Sequence, residues 1–256
     1  MKKFFLILFL LIQLSSYAQN KKAKGEFYFS WGYNKEWYTH SNLKVSQPEL
    51  GSEYILQSVK AHDHPGWDEG LFQIALTIPQ YNYRIGYFFN DKHNLGVEIN
   101  FDHTKYIIAE QKVRVIGTKD FKNIDTTVTF NEANGFEYFL NNGANFLLFN
   151  IMKRWNYTQS KNGKFKLDAI GKVGLGPVIP HVQNTFFGKD NDPGFQIGGW
   201  NFGVEYALRA TFYKTVYLEF ANKLDYASYS NLKVYKGTAK QNFGTYELIL
   251  SLGVTF

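Results

Sequence analysis

Apolar and polar positions alternate with a period of two in eight stretches of this chain, the pattern of strands whose two faces meet different surroundings. Strand one sets Phe27, Phe29, Trp31 and Tyr33 against Glu26, Ser30, Gly32 and Asn34, with Tyr28 the one large residue on the polar side. In strand two Tyr81, Tyr83, Ile85, Tyr87 and Phe89 oppose Gln80, Asn82, Arg84, Gly86 and Phe88. Strand three places Leu95, Val97, Ile99 and Phe101 against Gly96, Glu98, Asn100 and Asp102. Strand four is read from about Tyr138 to Trp155, its alternation blurred over residues 145–149. Strand five opposes Phe165, Leu167, Ala169, Gly171, Val173 and Leu175 to Lys164, Lys166, Asp168, Ile170 and Lys172. Strand six alternates from Trp200 to Phe212, with Glu205 and Arg209 on its polar side. Strand seven sets Val216, Leu218 and Phe220 against Tyr217, Glu219, Ala221 and Lys223. In strand eight, Tyr246, Leu248, Leu250, Leu252, Val254 and Phe256 form a wholly apolar wall backed by Glu247, Ile249, Ser251, Gly253 and Thr255.

Paired in order, these strands predict an all-β fold, an eight-stranded antiparallel up-and-down transmembrane β-barrel with long extracellular loops. The links alternate in length, as such a barrel requires. Residues 90–94, 156–163 and 213–215 are short. Residues 39–77, 109–137, 180–198 and 228–241 are long, with β-like pieces at Tyr54 to Ala61 and Thr126 to Phe130 that extend hairpins. An unpaired backbone donor in hydrocarbon costs several kcal/mol, so the sheet is expected to close on itself. Eight strands leave an interior that side chains fill, and Arg84, Glu98, Asp102, Lys172, Glu205, Arg209 and Glu219 are expected to satisfy one another there.

Composition agrees with that picture. Aromatic residues make up 18% of the chain although mean hydropathy is negative, the mixture expected when one face of each strand meets lipid and the other polar neighbours. Lys2 and Lys3, the apolar run Phe4 to Leu14 and the small-residue site Ser16-Tyr17-Ala18 predict a cleaved signal peptide over residues 1–18, with residues 19–256 as one barrel domain. The apolar run is shorter than the roughly 20 residues a spanning helix needs. With no cysteine, neither disulfides nor a lipid-modified N-terminus is expected. The formal charge of +6 includes the two lysines of residues 1–18. The remaining basic residues are scattered, which argues against nucleic acid as a partner.

The signal peptide, the meander and the ending Leu250-Ser251-Leu252-Gly253-Val254-Thr255-Phe256 together resemble small outer-membrane β-barrel proteins of the Bacteroidota, as does the cleavage context Ser16-Tyr17-Ala18-Gln19. The resemblance implies an outer-membrane location, surrounding lipid and lipopolysaccharide, and insertion by the barrel-assembly machinery through the strand ending in Phe256. It implies no activity, because that class includes anchors, adhesins, channels and enzymes. A soluble lipocalin-like barrel is the structural alternative, and it would turn the apolar faces inward.

Few residues suggest chemistry. Outer-membrane lipid A deacylases are similar in size and use a His-x-Ser pair with a nearby acid on the outer wall; the nearest match here is Asp102-His103-Thr104, which lacks the serine, so His103 is the catalytic candidate. His40 precedes Ser41, but adjacent side chains on an extended segment diverge. His62 and His64, with Asp68 and Glu69 nearby, could share a metal ion. Asp190-Asn191-Asp192 resembles a calcium-friendly turn, and Pro193-Gly194 also suits a plain one. The aromatic groups Trp31, Tyr33, Trp37 and Tyr38, and Tyr226, Tyr229 and Tyr235, are expected in interfacial girdles, with a sugar- or lipid-binding platform as the alternative. No cofactor motif occurs. The expectation is a non-enzymatic outer-membrane barrel with binding or structural loops; the alternatives are a lipid A-modifying hydrolase and a narrow passive transport barrel.

Overall fold

The computed structural model describes residues 25–64, 80–90, 92–140 and 143–256. Residues 1–18, Asp68 and Glu69 lie outside the described residues. Strand one is Glu26–Tyr38, two Tyr81–Phe88, three Leu95–His103, four Phe146–Gln159, five Phe165–Pro177, six Gly199–Phe212, seven Val216–Val234 and eight Gly237–Thr255. Each is antiparallel to the next. Strand eight returns to strand one, from Tyr28 opposite Thr255 to Tyr38 opposite Thr245. The eight strands therefore form a closed ring, and closure leaves no open edge along it.

The apolar faces look outward. Phe29, Ile85, Ile99, Ile151, Val204, Leu218 and Leu250 are exposed, whereas Arg84, Glu98, Glu205, Arg209 and Glu219 are buried. Trp200 is 46% exposed and Arg209 only 1%, the reverse of a lipocalin-like arrangement.

Three boundaries differ from the sequence reading: Asn156 to Gln159, read as part of a short link, continue strand four and pair with strand five. Strand four starts at Phe146, not near Tyr138; Phe136–Leu140 is a separate strand that pairs with His181–Phe186 and Tyr106–Ile108. The break has a backbone cause, since Gly143 and Asn145 both have positive φ (119° and 39°), a conformation that interrupts a strand. Residues 228–241 are not a loop either. Strands seven and eight run 19 residues each, and Leu232, Val234 and Ala239 at their ends are buried.

What buries them is a second tier, a cap above the ring. Ser41–Gln47, Ser52–Val59, Gln111–Lys119 and Lys122–Phe130 add successively to the upper part of strand eight. Facing them, the short strands Ala61–His62, Tyr106–Ile108, Phe136–Leu140 and His181–Phe186 pair in turn. Leu43, Leu56, Val115, Tyr138, Tyr229 and Phe243 fill the space between with an apolar core. The β-like pieces noted around residues 54–61 and 126–130 are part of this cap.

Candidate functional site

Within the ring, opposite strands reach each other through charge. Arg84 on strand two forms two hydrogen bonds to Glu205 on strand six, at 2.5 and 2.8 Å, and one to Glu219 on strand seven at 3.1 Å. Lys172 on strand five bridges Glu98 (2.8 Å), Glu205 and Glu219 (both 3.1 Å). Arg209 donates to Glu219 at 2.6 Å, and its guanidinium lies between the rings of Tyr28 and Tyr217, 4.1 and 4.0 Å from their centroids. Three cations and three carboxylates thus neutralise one another across the axis. Such pairing offsets the several kcal/mol per ion that burial costs.

Six of the seven interior residues read from the sequence meet in this cluster. Asp102 does not join it. Its carboxylate binds Lys223, which also approaches Asp225 at 3.1 Å and Glu247 at 3.6 Å. This second cluster was missed as a unit, although the alternation of strands seven and eight already places Lys223 and Glu247 on the inward side.

Glycine makes room for the aromatic parts of the axis. Gly86 stands opposite Tyr28 and Gly253 opposite Tyr217; a Cβ added at either would lie 2.3 or 2.1 Å from the tyrosine ring. Tyr28 covers its glycine while donating to Glu98. At the end of the ring away from the cap, Phe88 and Met152 pack with these tyrosines, and Ile170 and Ile249 continue the cluster up the ring.

The chemical candidates are dispersed. His103 points outward, stacked on Tyr81 with ring centroids 4.6 Å apart, and its Nδ1 is 2.9 Å from Asn145 Oδ1. Asp102 points the opposite way and Thr104 is fully buried, so the structure does not bring this trio together. His40 Nδ1 lies 3.4 Å from Ser58 Oγ, while Ser41 lies 3.1 Å from the Tyr106 hydroxyl. His62 Nδ1 meets the Asp63 carbonyl at 2.7 Å, and His64 donates its backbone N–H to Gln80 at 3.3 Å. Among the described residues no group of three or more His, Asp or Glu is placed to hold a metal ion. Asp190 accepts from Thr185, and the Asn191 amide donates to the Val182 carbonyl, tying that turn to its own hairpin.

The aromatic groups divide between the tiers. Outward Trp37 stacks on Tyr246 (centroids 5.6 Å apart) and Trp200 lies against Tyr226 (5.8 Å) near the cap. At the opposite end Phe27 meets Phe256 (5.9 Å) and Phe165 meets Phe212 (5.5 Å). Tyr38 and Tyr229 instead pack on Phe243 inside the cap, because the inward register carries them there, and Tyr235 sits at the cap's far tip. Burial raises the hydroxyl pKa of the cap residues Tyr54 and Tyr138, so both stay protonated.

No protein-family model and no curated protein matches this chain. Solved structures do. The chain is similar to the outer membrane protein OprG from Pseudomonas aeruginosa, with 14% identity, TM-score 0.42, and coverage of 91% of this chain and 96% of that one. It is similar also to Neisserial surface protein A, with 12% identity, TM-score 0.35, and coverage of 91% and 100%. A third is Ail, the attachment invasion locus protein of Yersinia pestis, with 14% identity, TM-score 0.34, and coverage of 91% and 100%. Likenesses of this order transfer no activity, ligand or partner to this chain.

Proposed function

We propose that this chain is a non-enzymatic outer-membrane β-barrel that spans the bilayer with its eight-stranded ring and displays the cap to the exterior as a binding or envelope-structural surface. The observation that carries this reading is the inside-out ring, with ion pairs crossing the axis and Phe, Leu, Ile and Val facing out. Water offers no reason to expose that wall, whereas hydrocarbon does. The spacing of the aromatic belts supports it. From Tyr246 to Phe256 strand eight rises ~33 Å at about 3.3 Å per residue, and a tilt of ~40° projects this to ~25 Å, the height of the apolar band of such barrels.

In this reading residues 1–18 are the export signal, cleaved near Ala18, and the terminal strand with Phe256 is what the assembly machinery engages. Outer-membrane lipid and lipopolysaccharide then surround the wall, in keeping with the Bacteroidota resemblance. The test is refolding into vesicles whose acyl chains carry bromine. Trp31 and Trp200 face outward, so tryptophan fluorescence should be strongly quenched. A protein that is monodisperse in detergent-free buffer and stays unquenched when the brominated vesicles are added would overturn the assignment.

A further inference from the structure

At the tip of the cap four turns converge on a cavity of about 260 Å³. They are the 3₁₀ turn Pro48–Leu50 with Gly51, the turn around Asp120, the turn at Phe187-Gly188, and the turn after Tyr235. Three of these turns hold bulky or charged residues at positive φ, namely Asp120 (50°), Phe121 (63°), Phe187 (51°) and Lys236 (47°). Two-residue hairpin turns of this shape favour Asn, Asp and Gly, so Phe121, Phe187 and Lys236 sit there against their conformational preference. Such strain gathers where binding surfaces are built.

The lining is mixed in a particular way. Tyr54 and Phe187 meet edge to face, centroids 5.4 Å apart. The Lys119 ammonium stands 4.9 Å over the Phe187 ring and that of Lys189 6.0 Å over Tyr235. Lys119 is paired with Asp120 at 2.5 Å; Lys189 has no carboxylate partner among the described residues. The Tyr54 hydroxyl, on a side chain 1% exposed, has no hydrogen-bond partner, and an unsatisfied buried polar group is costly. Burial keeps that hydroxyl protonated. Gln47 is held in the wall by its bond to the Tyr235 carbonyl at 2.5 Å.

We propose that this cavity binds one acidic sugar unit, its carboxylate at Lys189, the ammonium without a carboxylate partner among the described residues, and its apolar ring face on Tyr235. The volume is below the usual 300–1,000 Å³ of drug-sized pockets, so it admits one ring and neither a helix nor a strand. A bare inorganic anion would need the lysines but not the aromatic wall. A neutral sugar would need the wall but not an unpaired ammonium. The inference rests on the cap facing outward, so it deepens the proposed surface role.

The test titrates the refolded full barrel domain in lipid nanodiscs with D-glucuronate, D-glucose and inorganic phosphate, by calorimetry or by methyl-region NMR. Glucuronate should bind at least ~10-fold more tightly than either of the others, and Lys189→Gln and Tyr235→Ala should each weaken it by ~10-fold or more, about 1.4 kcal/mol. Equal binding of phosphate would reduce the cavity to an anion site, and equal binding of glucose would remove the role of charge. Either result, or no binding of glucuronate, or binding unchanged in both variants, overturns the proposal. Bromine quenching measured on the same samples reports membrane insertion separately, so failure of the sugar site and failure of the barrel assignment are told apart.

Discussion

Both carboxylate oxygens of Glu205 are held by the Arg84 guanidinium from the far side of the ring, across 121 positions of sequence. Removing one partner of a buried pair leaves an uncompensated charge, at a cost of about 3–5 kcal/mol. Arg84→Met should therefore destabilise the folded protein by that amount in urea titrations in vesicles. Arg84→Met with Glu205→Gln should recover a large part of the loss. A single variant within ~1 kcal/mol of the parent would show that the pair contributes no such constraint.

The outer wall should tolerate charge according to depth. Leu250 is 58% exposed and lies near the middle of the apolar span, so Leu250→Arg is expected to cost ~2–4 kcal/mol in bilayers, against ~0–1 for Tyr246→Arg at the aromatic belt. Vesicle unfolding curves for the two variants give the comparison directly. Similar costs at both positions would contradict a bilayer lying between the belts.

Gly86 and Tyr28 form a second testable pair. A valine at residue 86 would collide with the Tyr28 ring and displace the hydroxyl that donates to Glu98. Overpacking of this kind costs typically ~1–3 kcal/mol. Gly86→Val should show it as a lowered urea midpoint, and adding Tyr28→Ala should relieve part of the strain; no relief would place the collision elsewhere.

Ion pairs crossing the axis, with Phe88, Tyr28 and Tyr217 packed beneath them, leave the transport alternative little room. Planar-bilayer recordings of the parent protein should show no unitary conductance above that of the bare membrane. Reproducible open events would favour the transport reading.

His103, held between Tyr81 and Asn145, supplies the discriminating variant for the hydrolase alternative. Mass spectra of lipid A from cells carrying the parent or His103→Ala should have the same acyl pattern. A parent-specific loss of an acyl chain would restore the enzymatic reading.

The eight ring strands were legible because period-two alternation is strongest where one face is greasy and the other charged, as at Trp200 to Phe212. Legibility failed where that contrast vanishes. In the cap, Tyr138, Leu140 and Phe146 face a common apolar core, so their pattern merges with strand four and outweighs the turn dipeptide Asn142-Gly143 that marks the break. The inward charges could be identified by parity alone, but their grouping could not. Which carboxylate meets Lys172 and which meets Lys223 depends on stagger between strands far apart in the chain. The tip cavity was invisible for the same reason, since Gln47, Tyr54, Lys119, Lys189 and Tyr235 are brought together only by pairing of distant hairpins.

Strands seven and eight run as one hairpin from the aromatic belt beside Phe256 to the summit at Tyr235, with a single shift of register between Tyr229 and Leu232. They act as a stiff mast. Tension applied at the summit would therefore travel along hydrogen-bonded backbone into the wall rather than dissipate in a slack tether.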